Sequence, residues 1–507
     1  MQNYRKICLV GFLAFLLLIL SACQHKAEGY EPWQVSNETD PGEEDISEVF
    51  VGEIALEDNV PLMTPTPNLP KVLPTLRSEE VIYIVLPGDT LAKIALTHQV
   101  SVGQILANNE IENPNLIEVG QIFNIPPSSA NELASGFKII PDSELVFSPA
   151  AKDFDIEGFI IQSRGFLATY SQKVEEEELS GFEIVRRVAS DYSVNPRLLL
   201  ALLGYQNGWV TIKNQDSVSI DYPMNLRDPN RKGLYKQLAW TANELNRGYT
   251  LWEDNKLAVW VLADGTVMRI DATINNGTAG VQYLLGLLYG RDDWKQAIST
   301  DGLFQFYKQM FGNPFRITYE PLIPASAEQP TMQLPFRSGD TWFYTSGPHG
   351  GWGNGSAWAA LDFSPMSEDY GCFESKMPVV AAADGLVVRS GNGAVVQDLD
   401  GDGSEQTGWT ILYMHIATED RAKVGVYLQA GDLIGYPSCE GGFSTGTHVH
   451  IARRYNGVWV SAYGEIPFIM DNWIPASAGI EYDGYLNNNE QTLEAWNGRT
   501  EFNQIGR

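Results

Sequence analysis

Positive charge is scarce in this 507-residue chain: 34 lysines and arginines stand against 63 aspartates and glutamates, a net charge of −29. That balance argues against a nucleic-acid partner, because duplex binding needs cations against phosphate. Such acidity suits a soluble, exported protein and by itself says nothing about the fold. Histidine is scarcer still, with six residues, and there are four cysteines. The apolar run from Ile7 to Ile19 is short for a membrane-spanning helix, which needs about 20 residues. At this length the chain has room for two to four domains.

Four of the six histidines fall in one stretch. His349 sits in the glycine-rich segment Gly347-Pro348-His349-Gly350-Gly351-Trp352-Gly353-Asn354-Gly355, read as a loop. Asp362 follows at the start of a strand, Ala359-Ala360-Leu361-Asp362-Phe363. His415 lies in the apolar run Thr410 to Ile416, and His448 and His450 lie in Gly446 to Ala452. Residues two apart on a strand point to one face, so His448 and His450 project together, and Tyr413 and His415 are expected to do the same. A lone strand histidine is ordinarily a packing residue. A His-x-His pair with a third histidine, a loop histidine and a strand aspartate is instead a donor set for catalytic zinc, which needs three N/O ligands and an open position.

The order His, Asp, His, His-x-His resembles the lysostaphin-like zinc endopeptidases that cut peptidoglycan cross-bridges. Twelve residues separate His349 from Asp362, a spacing similar to the beta-lytic, LasA-type branch rather than to members with a short His-x-x-x-Asp motif. The Gly350-Gly351-Trp352-Gly353 loop and Ser356-Ala357-Trp358 are similar to that branch as well. The resemblance covers roughly residues 335 to 475. It implies one zinc ion per chain held by His349, Asp362 and His450, with His415 and His448 as catalytic histidines that do not bind the metal. Imidazole can accept and return a proton near neutrality, so His448 is expected to deprotonate the water and His415 to stabilise the oxyanion or return the proton. Tyr413 is a second oxyanion candidate, against the plainer reading that it packs.

The N-terminus reads as an export signal: Arg5 and Lys6, the apolar run, then Leu20-Ser21-Ala22-Cys23. That tetrad resembles the lipobox of bacterial lipoproteins, which implies cleavage before Cys23, a lipid on its thiol, and a protein held at a membrane on the cell surface or in the periplasm. With Cys8 in the signal and Cys23 lipidated, Cys372 and Cys439 remain. In an oxidising compartment a disulfide between them is expected, bracing the loop before the His-x-His strand; two free thiols are the alternative.

Taken in order, residues 1–22 read as the signal peptide and residues 23–80 as an acidic, proline-stiffened tether. Residues 81–127 resemble a LysM domain through Tyr83, Val85, Gly88-Asp89-Thr90-Leu91, Ile94-Ala95, Asn108 and Gly120-Gln121. That implies a βααβ fold binding N-acetylglucosamine-containing glycans through loops that include Gly88, Asp89, Thr90 and Asn108. A connector is expected from Pro126 to about Ile156, then a helical region over 157–317, with helices near Pro196–Tyr205, Lys236–Asn246, Gly280–Leu288 and Asp293–Met310. Its passage around Gln206 faintly resembles the catalytic helix of lysozyme-like transglycosylases, but glutamine stands where a glutamic acid must donate a proton, so no hydrolysis is expected there. The region reads instead as a lysozyme-like remnant that binds glycan without cleaving it, or as a spacer packed on the peptidase. Pro321 to Pro335 reads as a linker, residues 335–475 as an antiparallel β-rich peptidase domain, and residues 476–507 as a C-terminal extension. Asp398-Leu399-Asp400-Gly401-Asp402-Gly403 imitates a calcium loop, but Trp409 stands where the twelfth-position carboxylate belongs, so a hairpin turn is expected.

The sequence therefore predicts a multidomain chain: a small LysM domain, a helical middle and a C-terminal β-rich peptidase, acting as a monomeric, lipid-anchored zinc endopeptidase of peptidoglycan. The rival reading is a non-catalytic wall-binding scaffold or regulator of other wall hydrolases. Degenerate members usually lose a ligand, and none is missing here.

Overall fold

A computed structural model of the chain describes residues 70–130, 132–316 and 318–507. The signal peptide over 1–22, the lipid site Cys23 and the tether up to residue 69 lie outside the described residues. Two compact units emerge. One holds Pro74–Ala134 and Ala258–Ile270; the other holds residues 70–73, Ser135–Leu257 and Asp271–Arg507.

In the first unit, β1 (Val81–Ile84) pairs antiparallel with β2 (Ile122–Ile125). Between them α1 (Leu91–His98) starts at Thr90, whose hydroxyl accepts the Lys93 N–H, and α2 (Val102–Ala107) starts at a reciprocal capping box of Ser101 and Gln104. Val85, Leu91, Ile94, Ile105, Phe123 and Ile125 close a small core. This is the expected βααβ fold. The short β3 (Glu132–Leu133) follows it.

The middle region holds α3 (Asp142–Leu145), α4 (Ile156–Ser163), the hairpin β4 (Ser171–Val174) and β5 (Glu177–Ser180), α5 (Gly181–Tyr192), α6 (Pro196–Asn207) and α7 (Leu234–Glu253). A hairpin, β6 (Val259–Val261) and β7 (Val267–Arg269), then pairs with β3 in the first unit, before α8 (Asn276–Leu288), α9 (Arg291–Ala297) and α10 (Leu303–Phe311). Helix α6 is the centre: every residue from Leu198 to Leu203 is buried. Helices α7 and α8 approach closely at Gly248, where a Cβ would lie 2.5 Å from Cβ of Tyr283 and 2.9 Å from Cα of Gly280.

Three expectations need correction. The helix predicted over Asp293–Met310 is two helices, because Ser299-Thr300-Asp301-Gly302 turns between α9 and α10 and a side chain at Gly302 would strike the Ala297 carbonyl at 2.2 Å. The connector predicted from Pro126 to about Ile156 is largely core: Ile139, Ile140, Leu145 and Val146 are buried, and Asn275 and Thr278 hydrogen-bond the Ile140 carbonyl. Its polar residues serve capping and turns rather than a free linker. Likewise Leu322, Met332 and Leu334 of the predicted 321–335 linker are buried, and Leu334 N–H donates to Asp471.

The remaining residues form an antiparallel β domain. Its main sheet runs β14-β11-β12-β13-β16-β9-β8-β21, with β17 beside β16. In chain order these include β8 (Thr341–His349), β9 (Ala360–Pro365), β11 (Gly385–Gly391), β12 (Ala394–Asp398), β13 (Trp409–Met414), β14 (Tyr427–Leu428), β16 (Val449–Tyr455), β17 (Val458–Trp459) and β21 (Gln504–Gly506); β10 (Val379–Val380) and β15 (Leu433–Gly435) pair separately. One face carries Leu361, Phe363, Ile411, Tyr413, Val449 and Ile451 into the larger core. The other carries Ala360, Ala394, Leu412 and Ala452 under Trp459. Residues after 475 belong to this domain: β18 (Ile474–Ser477), β19 (Gly484–Asn487) and β20 (Thr492–Glu494) form a small sheet, and β21 returns to pair with β8.

The helical region packs on the second face through buried ions. Arg389 bridges Asp191 at 2.6 Å and Glu405 at 3.1 Å, while Arg454 reaches Glu405 at 2.6 Å and is almost wholly buried. Removing one member of a buried ion pair strands the other's charge. Glu405→Ala is therefore expected to lower unfolding free energy by about 3–5 kcal/mol in urea titration, whereas a loss below about 1 kcal/mol, the level of an exposed pair, would show the network to be solvent-compensated.

Candidate metal centre

Sheet register alone gathers most of the site. His450 on β16 lies directly opposite Asp362 on β9 and Met414 on β13, so these three side chains share the second face. His349 is the last residue of β8, the strand on the other side of β9, rather than a loop residue as expected. His349 Nε2 lies 3.0 Å from His450 Nδ1, and Asp362 Oδ1 lies 3.3 Å from each. All three residues are buried.

That triangle has the dimensions of one face of a zinc tetrahedron, whose donors at about 2.0–2.1 Å from the ion stand about 3.4 Å apart. The ring atoms pointing away from it are occupied. His349 Nδ1 donates to the Gly347 carbonyl at 2.8 Å, and His450 Nε2 donates to the Gly351 carbonyl at 3.0 Å. A carbonyl only accepts, so these contacts fix the protons and leave the lone pairs of His349 Nε2 and His450 Nδ1 facing Asp362. Asp362 Oδ1 is buried with no hydrogen-bond partner. Three electron-rich atoms converge on one point, and only a cation, a proton or a metal, makes that stable. Burial alone would raise the Asp362 pKa, but the positive charge of His349 and His448 when they take up protons holds it well below the usual carboxylate range. Burial alone would lower that of His349, and the Asp362 carboxylate reverses this and raises it.

The other two histidines stand beside the triangle. His448 Nε2 is 3.6 Å from Asp362 Oδ2, and the rings of His415 and His448 are 4.4 Å apart. Backbone carbonyls again fix their protons: His448 Nδ1 donates to Gly446 at 2.7 Å and His415 Nδ1 to Glu440 at 2.9 Å. Both therefore turn an Nε2 lone pair to the site. Burial, reinforced by the neighbouring histidines, lowers the His415 pKa to about 3, so it is neutral at neutral pH.

Tyr413 is not part of this group, which corrects its reading as an oxyanion candidate. Its Cα partner is Ile451, on the opposite face from His450. Its hydroxyl accepts from Ala382 N–H at 2.7 Å and donates to Gln397 at 3.1 Å inside the larger core. Strand alternation fails between Tyr413 and His415 because β13 ends at Met414 and His415 has a left-handed φ of 62°, which swings its ring towards His448.

Cys372 and Cys439 are disulfide-bonded, closing 67 residues of sequence. Beside the bond, Thr447 N–H donates to Gly371 and its hydroxyl to the Phe373 carbonyl. The segment that feeds Glu440 and Gly446 carbonyls to the two outer histidines is therefore anchored at both ends. Tyr482, which the sequence did not single out, stacks on the His349 ring at 4.6 Å, and burial pushes its phenol up to about 12. Its backbone pairs with Gly347 N–H and the Pro348 carbonyl. No motif marks this tyrosine, since it lies in the extension and reaches the site only through tertiary pairing.

The remaining predicted residues lie elsewhere. Asp89 accepts from Tyr83 hydroxyl and Leu86 N–H, Thr90 caps α1, Gly88 has φ 82°, and the Asn108 amide donates to the Gln104 carbonyl, so all four shape the turns of the βααβ unit. Gln206 is buried, accepting from Tyr289 hydroxyl at 2.7 Å and Asn225 at 3.0 Å. Asp398, Asp400 and Asp402 can bring one oxygen each together, as a calcium loop would; Asp398 accepts from Asp400, Gly401 and Gly403 N–H groups in the turn that was expected.

Three family models match the chain: the LasA N-terminal domain over residues 138–325, the LysM domain over 83–126 and peptidase family M23 over 368–462. The last span includes His415, His448 and His450, while His349 and Asp362 precede it. Protease LasA of Pseudomonas aeruginosa strain PAO1 is 27% identical over 347 residues, covering 64% of this chain and 75% of that protein. N-acetylmuramoyl-L-alanine amidase XlyA of Bacillus subtilis strain 168 is 48% identical over 50 residues, covering 10% of this chain and 17% of that protein. Among solved structures, the M23 metalloprotease pseudoalterin from the deep sea is 27% identical with a TM-score of 0.30, covering 35% of this chain and 99% of that one. The catalytic domain of lysostaphin from Staphylococcus simulans is 26% identical with a TM-score of 0.18, covering 25% and 89%.

A histidine held near 3 when folded and at its ordinary 6.5 when unfolded makes the unfolded chain the stronger proton binder between those values. The stability His415 contributes is thus fully present above pH 6.5 and lost as pH falls towards 3. In the metal-free protein, the decline of the melting midpoint from pH 6.5 to 4 should be shallower for His415→Asn than for the unaltered chain. Parallel declines would refute the burial of a neutral His415.

Proposed function

We propose, for a chain that belongs to the LasA-type branch of the M23 zinc-dependent metallopeptidases, that it cleaves peptide bonds in the cross-bridges of peptidoglycan, using one zinc per chain held by His349, Asp362 and His450. The peptidase and LysM domains together make it a cell-wall peptidase. The observation that carries the finer reading is the buried, unpartnered Asp362 Oδ1 at 3.3 Å from two imidazole nitrogens whose other atoms are tied to carbonyls. Zinc bound there supplies Lewis-acid polarisation of the scissile carbonyl and acidifies the attacking water.

The chain's own part is proton handling. His448 and His415 both turn an Nε2 lone pair to the site, so each is an acceptor before it is a donor. His448, nearer to Asp362, takes the proton of the water as general base. His415, neutral at working pH and with its Nε2 lone pair turned to the site, is the second station for that proton, which returns to the departing amine. The LysM domain holds the enzyme on glycan, and Cys23, the residue expected to carry lipid, holds it at a membrane as an exported lipoprotein. Support for the anchor is the Leu20-Ser21-Ala22-Cys23 tetrad after an apolar run.

The test is incubation of purified peptidoglycan with the protein, its chelated form and a His448→Ala variant, followed by counting of new amino termini. New termini should appear, vanish with the chelator and return with zinc, and fall by about 10²–10⁴-fold in the variant. One bound zinc with no new termini from any wall preparation would sink the enzyme reading and favour a scaffold.

A further inference from the structure

The Gly351 carbonyl that orients His450 belongs to a segment with little means of holding itself. Gly350, Gly351, Gly353 and Gly355 carry no side chains, and the internal staples are Ser356, whose hydroxyl accepts from Trp352 N–H at 3.1 Å and lies 3.1 Å from the Trp352 and Gly353 carbonyls, and the Gly351 N–H, which donates to the Ala357 carbonyl at 3.1 Å. The β domain holds its start, where Tyr482 pairs with Gly347 and Pro348, and the helical region holds its far end. Asn243 Oδ1 on α7 accepts the Gly355 N–H at 2.9 Å, and its Nδ2 donates to Asn354 Oδ1 at 3.0 Å. Arg247, one helical turn further on and so on the same face, donates to the same Asn354 oxygen at 2.6 Å while Glu244 holds its Nε at 2.9 Å. The fit is close: a Cβ on Gly355 would lie 1.9 Å from the Asn243 carbonyl oxygen, and one on Gly353 would lie 2.6 Å from Asn243 Oδ1. A second contact comes from the end of α5. The Tyr192 carbonyl accepts Trp459 Nε1–H at 3.2 Å, and the Trp459 ring lies against Gly351, where a Cβ would approach it to 2.3 Å.

We propose that Asn243 and Arg247 are positioning residues of the metal centre: they pin the glycine segment from α7, so that the Gly351 carbonyl keeps the His450 ring turned with Nδ1 towards Asp362. The helical region is then part of the metal site's support rather than a spacer. This inference rests on the reading of His450 as a ligand. Groups that orient a metal-bound imidazole typically change metal affinity by about 10–100-fold when removed, and a contact one step further out should act at the lower end of that range.

The experiment measures zinc transfer from the full chain to a chromogenic chelator, the visible absorption of the cobalt-substituted protein, and peptide cleavage, for Asn243→Ala, Arg247→Ala, Arg247→Lys, Asn354→Ala and His450→Ala. Asn354 is exposed, so its variant approaches the contact from the loop side without disturbing a core. Zinc loss should be about 10-fold faster in Asn243→Ala, Arg247→Ala and Asn354→Ala. Their cobalt bands should shift and kcat should fall with KM unchanged, while Arg247→Lys restores much of each. If His450→Ala loses zinc but the three clamp variants keep the zinc release rate and cobalt spectrum of the unaltered chain, the positioning role is wrong and the ligand reading stands. If His450→Ala itself retains zinc and an unaltered cobalt spectrum, the ligand reading fails instead, and the clamp fails with it.

Discussion

The arrangement that governs this domain is a buried carboxylate facing two imidazole lone pairs. Left without a cation, such a point would cost several kcal/mol, so the fold must fix its geometry rather than let it relax. Four backbone carbonyls do so, one behind each histidine: Gly347, Gly351, Glu440 and Gly446. Each fixes which ring nitrogen carries the proton, and thereby divides the rings into two that complete the triangle and two that stand beside it. Three of the four carbonyls come from glycine. A residue without a side chain lets the backbone come within hydrogen-bond reach of a ring, at the cost of needing outside support. That support comes from the disulfide and Thr447 on one side and from α5, α7 and Trp459 on the other.

The sequence made the donor set legible because extended backbone imposes a period of two: His448, bridged to Ser438 just before β16, and His450 inside it both face Asp362. Their meeting with Asp362 was a matter of register, which a buried face fixes strongly. The same period misled at Tyr413 and His415, where a left-handed residue ends the strand and reverses one side chain. What could not be read were contacts made by backbone oxygens, which have no residue signature, and contacts between residues far apart in the chain, such as Tyr482 on His349. The polar stretch before Ile156 and the proline-rich stretch before Pro335 looked like linkers for a related reason. Composition reports solvation on average, whereas Asn275, Thr278 and Asp471 satisfy those particular backbones inside the structure.

The shortage of positive charge has a structural side. Arg197, Arg453 and Arg454 are buried and Arg389 is half-buried, held by Glu144, Glu405, Asp191 or by carbonyls and the faces of Trp409 and Phe468. Burial lowers the Arg453 pKa to about 9. Glu144, Asp191 and Glu405 are buried with the arginines they hold, so these charges cancel inside and the net negative charge is left to the rest of the chain.

An acidic surface has a direct bearing on how such a protein meets a bacterial wall. Anionic wall polymers repel it at distances up to the Debye length, about 8 Å at physiological ionic strength, and no field steers it to its substrate. Association must then depend on short-range contacts that carry no net charge, the kind proposed here between the LysM domain and glycan. The proposed membrane tether would act in the same direction, because it replaces attraction by a raised local concentration. On this reading the anchor and the glycan-binding unit are not accessories to the catalytic domain. In the proposed function they supply the encounter that its own electrostatics oppose, and they leave His448 and His415 with one task, the movement of a proton at the scissile bond.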